Sequence, residues 1–136
     1  MPCCLYATAP LRRAEDIVAT ANLIDPERCD FSMAVTRYLH YPHQALRRSE
    51  GSYLAPMWPD LVAMRTDTVG DLLVGNGSTY CARVEAFLRA RNFYGPRLIG
   101  HEMPVSRSVD IDTREDFEVA LALFRFASAA RSAAPS

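Results

Sequence analysis

An α/β fold built on a mainly parallel sheet is the architecture these 136 residues predict. Two observations predict it. Near the N-terminus a short apolar run, a stretch of helical periodicity and a second β-rich run follow one another, the order that builds parallel sheets. Near the C-terminus Phe117, Ala120, Leu121 and Phe124 recur at helical spacing as the apolar stripe of a closing helix. A hydrophobic content of 49% suffices for a packed core in a single domain.

Residues 3–7 read as a buried strand, internal to the sheet, that opens into a loop at Pro10. Ala14, Ile17, Ala21 and Ile24 recur at helical spacing. Glu15 and Asp16 put negative charge in the first turn, where it offsets the helix dipole. A helix over about 13–24 follows, closed by Asp25-Pro26, and 31–36 reads as a second strand. From Arg37 to Asn76 periodicity is poor, and Pro42, Gly51, Pro56, Pro59 and Gly70 punctuate the chain. Too long for an ordinary loop, this stretch reads as an excursion with a function or a packing partner. His40 and His43 stand three apart there, as a metal pair or, with Pro42 opposing a helix, as two loop side chains. Asn76-Gly77 signals a turn before a run at Ser78–Cys81. A helix over about 82–91, a strand at 96–103 and a helix over about 114–127 complete the chain, with an Ala/Ser tail fraying after Arg125.

Chemistry concentrates at Arg107-Ser108-Val109-Asp110-Ile111-Asp112-Thr113-Arg114-Glu115-Asp116. In extended backbone Asp110 and Asp112 share one face while Val109 and Ile111 pack beneath. Thr113 and Asp116 have the spacing of a capping box, which starts the helix and fixes the turn after the acid pair. Two carboxylates at such an end suit Mg²⁺, a hard cation that takes one or two carboxylates, waters and substrate phosphates. The alternative is that Asp112 and Thr113 merely cap the helix and Asp110 is solvated.

This stretch resembles the closing motif of the cytidylyltransferases that activate sialic-acid-type sugars as CMP conjugates. Three further stretches resemble that family in the same order: Cys3-Cys4-Leu5-Tyr6-Ala7-Thr8-Ala9-Pro10-Leu11, Tyr41-Pro42-His43-Gln44-Ala45-Leu46 and Gly75-Asn76-Gly77-Ser78-Thr79-Tyr80. The resemblance implies a Rossmann-like sheet of the nucleotide-diphospho-sugar transferase type, Mg²⁺ held by Asp110 and Asp112 as the catalytic pair, and CTP and a nine-carbon 2-keto acid sugar as substrates. It implies substrate contacts at Tyr6, Thr8, Arg12, Gln44, Arg65, Asn76 and Gly77. It also implies a homodimer in which 37–76 exchanges contacts with a second subunit. An aromatic at Tyr6 is similar to the pseudaminic-acid branch, where the sialic-acid branch has glutamine. Arg65 lacks the glutamine that follows in the family, and Thr66 and Asp67 stand there instead. The family's opening strand and Gly/Arg/Lys-rich loop, which grip the CTP phosphates, have no counterpart in these residues, so the resemblance is to an N-terminally truncated domain. Blander readings stay open: a core aromatic at Tyr6, an exposed helix-start arginine at Arg12, a plain turn at Asn76. For the whole chain, the alternatives are a non-catalytic remnant that binds sugar or dimerises, or a sugar-nucleotide transferase with an Asp-x-Asp metal site.

A net charge of −1 argues against nucleic acid as a partner. All fifteen basic residues are arginine, so any cationic contact to phosphate or carboxylate comes from a guanidinium. Cys3, Cys4, Cys29 and Cys81 have no Cys-x-x-Cys spacing and read as reduced, packed thiols of a cytoplasmic protein. Met1-Pro2-Cys3-Cys4 has no signal-peptide pattern, and no stretch approaches the ~20 apolar residues of a membrane span.

Overall fold

Few residues adjacent in sequence are partners in the main sheet. The computed structural model describes residues 1–132. Its elements run β1 (Cys3–Leu5), α1 (Ala14–Asn22), β2 (Phe31–Arg37), β3 (Leu46–Arg48), β4 (Leu54–Pro56), α2 (Thr66–Val69), β5 (Leu73–Ala82), α3 (Val84–Ala90), β6 (Leu98–Glu102) and α4 (Arg114–Ser132). Short 3₁₀ turns occupy Pro42–Gln44 and Val105–Arg107. The chain divides into two compact units, one of Met1–Thr36 with the chain from Gly75 onward, the other Arg37–Val74.

The first unit holds a four-stranded sheet in the order β1-β5-β2-β6. β2 runs parallel to β6, with Phe31 opposite Leu98 and Val35 opposite Glu102. β1 runs antiparallel to β5, with Cys3 opposite Cys81 and Leu5 opposite Thr79. The sheet is thus mixed rather than mainly parallel, and β1 is an edge strand rather than an internal one. The reason is that β5, not β2, takes the place beside β1 and pairs with it antiparallel.

β2 is buried on both faces over Phe31–Thr36, as a central strand covered by helices on each side must be. On one face Phe31 packs with Ala82 and Ala86, flanked by Phe87, Ala90 and Phe93. Met33 and Val35 pack there with Tyr80. On the other face the Ser32 hydroxyl donates to the Thr20 carbonyl of α1 at 2.7 Å. The deepest residues of α1 are Asp16 and Thr20, not the apolar Ala14, Ile17, Ala21 and Ile24 that periodicity selected. β5 passes straight through Asn76-Gly77. The expected turn is a kink inside a strand, where Gly77 takes φ +69°. α4 continues to Ser132 rather than fraying after Arg125, because its alanine-rich end has high helix propensity. The last part of the expected tail, 133–136, lies outside the described residues.

Cys3 and Cys81 form a disulfide, which corrects the expectation of four reduced thiols, while Cys4 and Cys29 are free. The cause is register. Antiparallel pairing sets the two directly opposite, with Cα atoms 4.3 Å apart, the close spacing of a pair that exchanges no ladder hydrogen bonds. Alkylation of the unfolded, unreduced chain is expected to modify two cysteines, and four after reduction. Four labelled cysteines without reductant would refute the bond.

The second unit carries the β3–β4 hairpin, with Leu46 opposite Pro56 and Arg48 opposite Leu54, and the single-turn α2. His43 is buried with neither ring nitrogen partnered, and its ring lies 5.6 Å from that of Tyr41, tilted by 57°. Leu39, Tyr53, Leu54, Met57 and Trp58 are exposed. Among the described residues no helix is long and apolar enough to cross a membrane.

Candidate active site

The acid pair lies beyond β6 on the irregular segment 108–112, not on a paired strand. Its far end is fixed locally. The Thr113 N–H and hydroxyl donate to Asp116 Oδ2 at 2.8 and 2.7 Å, and Asp116 N–H donates to Thr113 Oγ1 at 3.2 Å. The capping box read from spacing is therefore present. These bonds hold the Asp116 carboxyl below the ordinary value. The Asp112 N–H joins them, donating to Asp116 Oδ2 at 3.2 Å, which leaves the exposed Asp112 carboxylate outside the cap.

The segment is held by the loop after β1 and by β5. Ile111 N–H donates to the Thr8 carbonyl at 2.9 Å, so Thr8 serves through its backbone. Asn76, buried at 4% exposure, donates through Nδ2 to Ser108 Oγ at 2.9 Å and contacts Met103 sulfur at 3.3 Å. Its Oδ1 accepts the Ser78 N–H at 3.2 Å. The amide joins β5 to the closing segment. The Asp110 carboxylate lies against the Cα of Gly77, where any Cβ would overlap it. Asp110 Oδ1 is buried and has no hydrogen-bond partner.

An orphaned buried carboxylate oxygen is costly unless something positive meets it. A divalent cation fits this requirement. Among the described residues no group of three or more His, Cys, Asp or Glu that could hold a metal ion converges. Gly77→Ala is expected to cost about 1–2 kcal/mol from the left-handed backbone alone and to push Asp110 from its seat. Chemical denaturation checks this, and a variant as stable as the parent would contradict the close approach.

Tyr6, 49% exposed, lines a cavity of about 290 Å³ with Tyr80, Phe87, Arg91, Asn92, Phe93 and Tyr94. The Tyr6 and Tyr80 rings lie 5.3 Å apart and Tyr80 and Phe93 5.8 Å. Burial, with smaller contributions from Tyr94, Tyr6 and Asp110, pushes the Tyr80 hydroxyl up to about 12, so it is a neutral donor at physiological pH. Sequence reasoning had Tyr80 only as the last residue of the Gly75–Tyr80 motif, and it missed Phe93 and Tyr94 as wall residues. The signal was the aromatic pair Phe93-Tyr94 just after α3, which reads as core until the fold brings it beside Tyr6. A larger cavity, about 530 Å³, lies between Arg12, Arg13, Arg107 and the Phe124–Phe126 side of α4, and contains neither aspartate of the acid pair.

Arg12 donates through Nη1 to the carbonyls of Tyr6 and Ser78 at 2.6 and 2.8 Å, tying the loop after β1 to β5. Tyr6, Thr8, Arg12, Asn76, Gly77 and Asp110 are thus gathered by one network of contacts in the first unit, with Asp112 at its rim. Gln44 and Arg65 belong to the second unit. There Gln44 ends a 3₁₀ turn, and Arg65 forks onto Asp67 at 2.7 and 3.1 Å.

A mixed α/β unit with an acid pair before a capped helix is the setting in which likeness to transferases becomes apparent. No family model matches the chain. Over 113 residues, 83% of its length, the chain is 25% identical to the N-acylneuraminate cytidylyltransferases of Streptococcus agalactiae serotype V and serotype III strains, a distant homology to nucleotidyltransferases. It spans 27% of the length of those relatives.

Proposed function

We propose that this chain carries the sugar- and metal-facing part of a CMP-sugar cytidylyltransferase with a Rossmann-like sheet. In the reaction proposed, the anomeric hydroxyl of a nine-carbon 2-keto acid sugar attacks the α-phosphate of CTP and pyrophosphate leaves. The observation that carries the reading is the unpartnered, buried Asp110 oxygen against Gly77; its charge is felt by Tyr80, a wall residue of the aromatic cavity at Tyr6. The distant homology over 113 residues of the chain supports it.

In this reading Asp110 and Asp112 hold Mg²⁺, whose charge neutralises the phosphate oxygens when it is bound. Gly77 lets the Asp110 carboxylate sit against backbone, and the Thr113–Asp116 cap keeps Asp112 free to face a ligand. The rings of Tyr6, Tyr80 and Phe93 give the sugar an apolar wall, while the neutral Tyr80 hydroxyl and the Arg91 guanidinium offer donors to its polar groups. Asn76 acts by holding Ser108, rather than as a direct sugar contact, while its amide is engaged there. An N-acylneuraminate, named for the relatives, and a pseudaminic-type sugar, suggested by the aromatic at Tyr6, are the two candidate classes. The experiment supplies a family N-terminal nucleotide-binding segment in fusion and measures pyrophosphate release from CTP with each sugar. No sugar-dependent release from a folded fusion would refute the proposal.

The same reading makes Arg37–Val74 a contact with a second copy, because Leu39 and Tyr53 are 74% and 77% exposed on this unit and Met57 and Trp58 add to its apolar surface. Sedimentation at micromolar concentration is expected to report a dimer that Tyr53→Glu weakens. A monomeric parent chain would count against it.

A further inference from the structure

We propose that Asp16 is a positioning residue for the acid pair, acting through Arg107, so that a carboxylate at the start of α1 sets where Asp110 lies. This rests on the reading of Asp110 as metal-facing. The Asp16 side chain is only 4% exposed. Its Oδ2 accepts the Arg13 N–H at 2.9 Å, the ordinary duty of an acid in the first turn of a helix. That duty needs no burial. The remaining capacity goes to the guanidinium of Arg107, 91 residues further on, which donates through Nη2 to Oδ1 at 2.6 Å and through Nε to Oδ2 at 3.3 Å. His101 of β6 approaches Oδ1 at 3.5 Å. Burial alone would raise the Asp16 carboxyl, but these donors outweigh it and hold the group below its ordinary value, so it is the charged form that receives the fork.

Arg107 ends the 3₁₀ turn that leads into the closing segment, and Asp110 follows three residues later. Between them Ser108 is held by Asn76, and just beyond them Ile111 is held by Thr8. Both of those are single neutral bonds. The Asp16–Arg107 fork is the bidentate, charge-assisted hold on the segment, which makes it the stiffest of the three. Outer partners that orient a metal's ligands typically alter metal affinity by 10- to 100-fold when removed. Asp16 touches no ligand in this scheme; its role passes through Arg107.

The test uses the whole chain with Asp16→Asn, Arg107→Gln, the double variant, Arg107→Lys and Asp110→Ala. The readouts are amide hydrogen exchange at Ile111 against the β2 amides, and terbium(III) luminescence, with the ion as a hard carboxylate probe sensitised by the tyrosines. Asp16→Asn is expected to speed Ile111 exchange and weaken terbium binding, each roughly tenfold, while β2 keeps its protection. The double variant is expected to be no worse than Arg107→Gln, since residues acting through one another are not additive. Arg107→Lys keeps the charge but loses the fork, and is expected to show the same local change at smaller size. Unchanged Ile111 exchange, additive effects in the double variant, or a loss of protection shared by β2 would each overturn the proposal. Terbium binding that survives Asp110→Ala would instead sink the metal reading, leaving Ile111 exchange to decide the positioning role.

Discussion

Asp110→Ala in the fused enzyme is expected to lower sugar-dependent pyrophosphate release by about a thousandfold, equivalent to ~4 kcal/mol of transition-state stabilisation. The size follows from where the carboxylate sits. Its Oδ1 is buried without a protein partner, and its other side meets the Gly77 backbone, so no neighbouring group substitutes for its negative charge. Asp112 is exposed at the rim, and Asp112→Ala is expected to lose less, because water can take the ligand position of an exposed carboxylate. Pyrophosphate release at saturating Mg²⁺ and across a Mg²⁺ titration checks both. Full activity in the Asp110 variant would return Asp110 to a packing role and Asp112 to the neighbourhood of a helix cap.

Phe31→Ala is expected to cost about 3–5 kcal/mol, the range for deleting a buried aromatic. Phe31 is 2% exposed and packs with Ala82 of β5 and Ala86 of α3, with Phe87, Ala90 and Phe93 around it. Its ring also occupies the space a Cβ would need at Gly95, so backbone approaches it and cannot readily follow when it is removed. Many of its neighbours are alanines, too short to fill the void. Urea denaturation checks the value, and a loss under ~1 kcal/mol would mean that this end of the sheet collapses onto the gap. Because Phe93 also lines the cavity at Tyr6, the same substitution is expected to loosen that wall.

What was legible in the sequence was local. The Thr113–Asp116 box, the periodic helices around Ile17 and Phe87, and the β-rich run at Phe31 are decided within a few residues, and each forms close to where its pattern lies. What was illegible depended on distant partners. Asn76-Gly77 carries turn chemistry, yet the positive φ it permits serves a kink in a strand, because Asp110 needs the missing side chain. Asp16 and Thr20 fall outside an apolar stripe, but they are the inward face of α1 once Arg107 and Ser32 arrive. Arg12 has the residue type of an anion clamp, while its Nη1 feeds two carbonyls. Cysteine spacing could not foretell a bond set by strand register across 78 residues.

The order β1-β5-β2-β6 has a consequence for how the chain reaches its fold. β1 finds its partner residues 78 positions away at their widest, Cys3 with Cys81, and Phe31 of β2 meets Leu98 of β6. During synthesis neither pairing exists until most of the chain has emerged, so β1 and β2 wait unpaired while only α1 and the β3–β4 hairpin have local partners. Sheets dominated by such non-local contacts fold slowly, on the millisecond-to-second scale, and expose apolar strands meanwhile. The six consecutive buried residues of β2 are exposed to aggregation in that interval, which favours slow synthesis at low temperature for obtaining the folded chain.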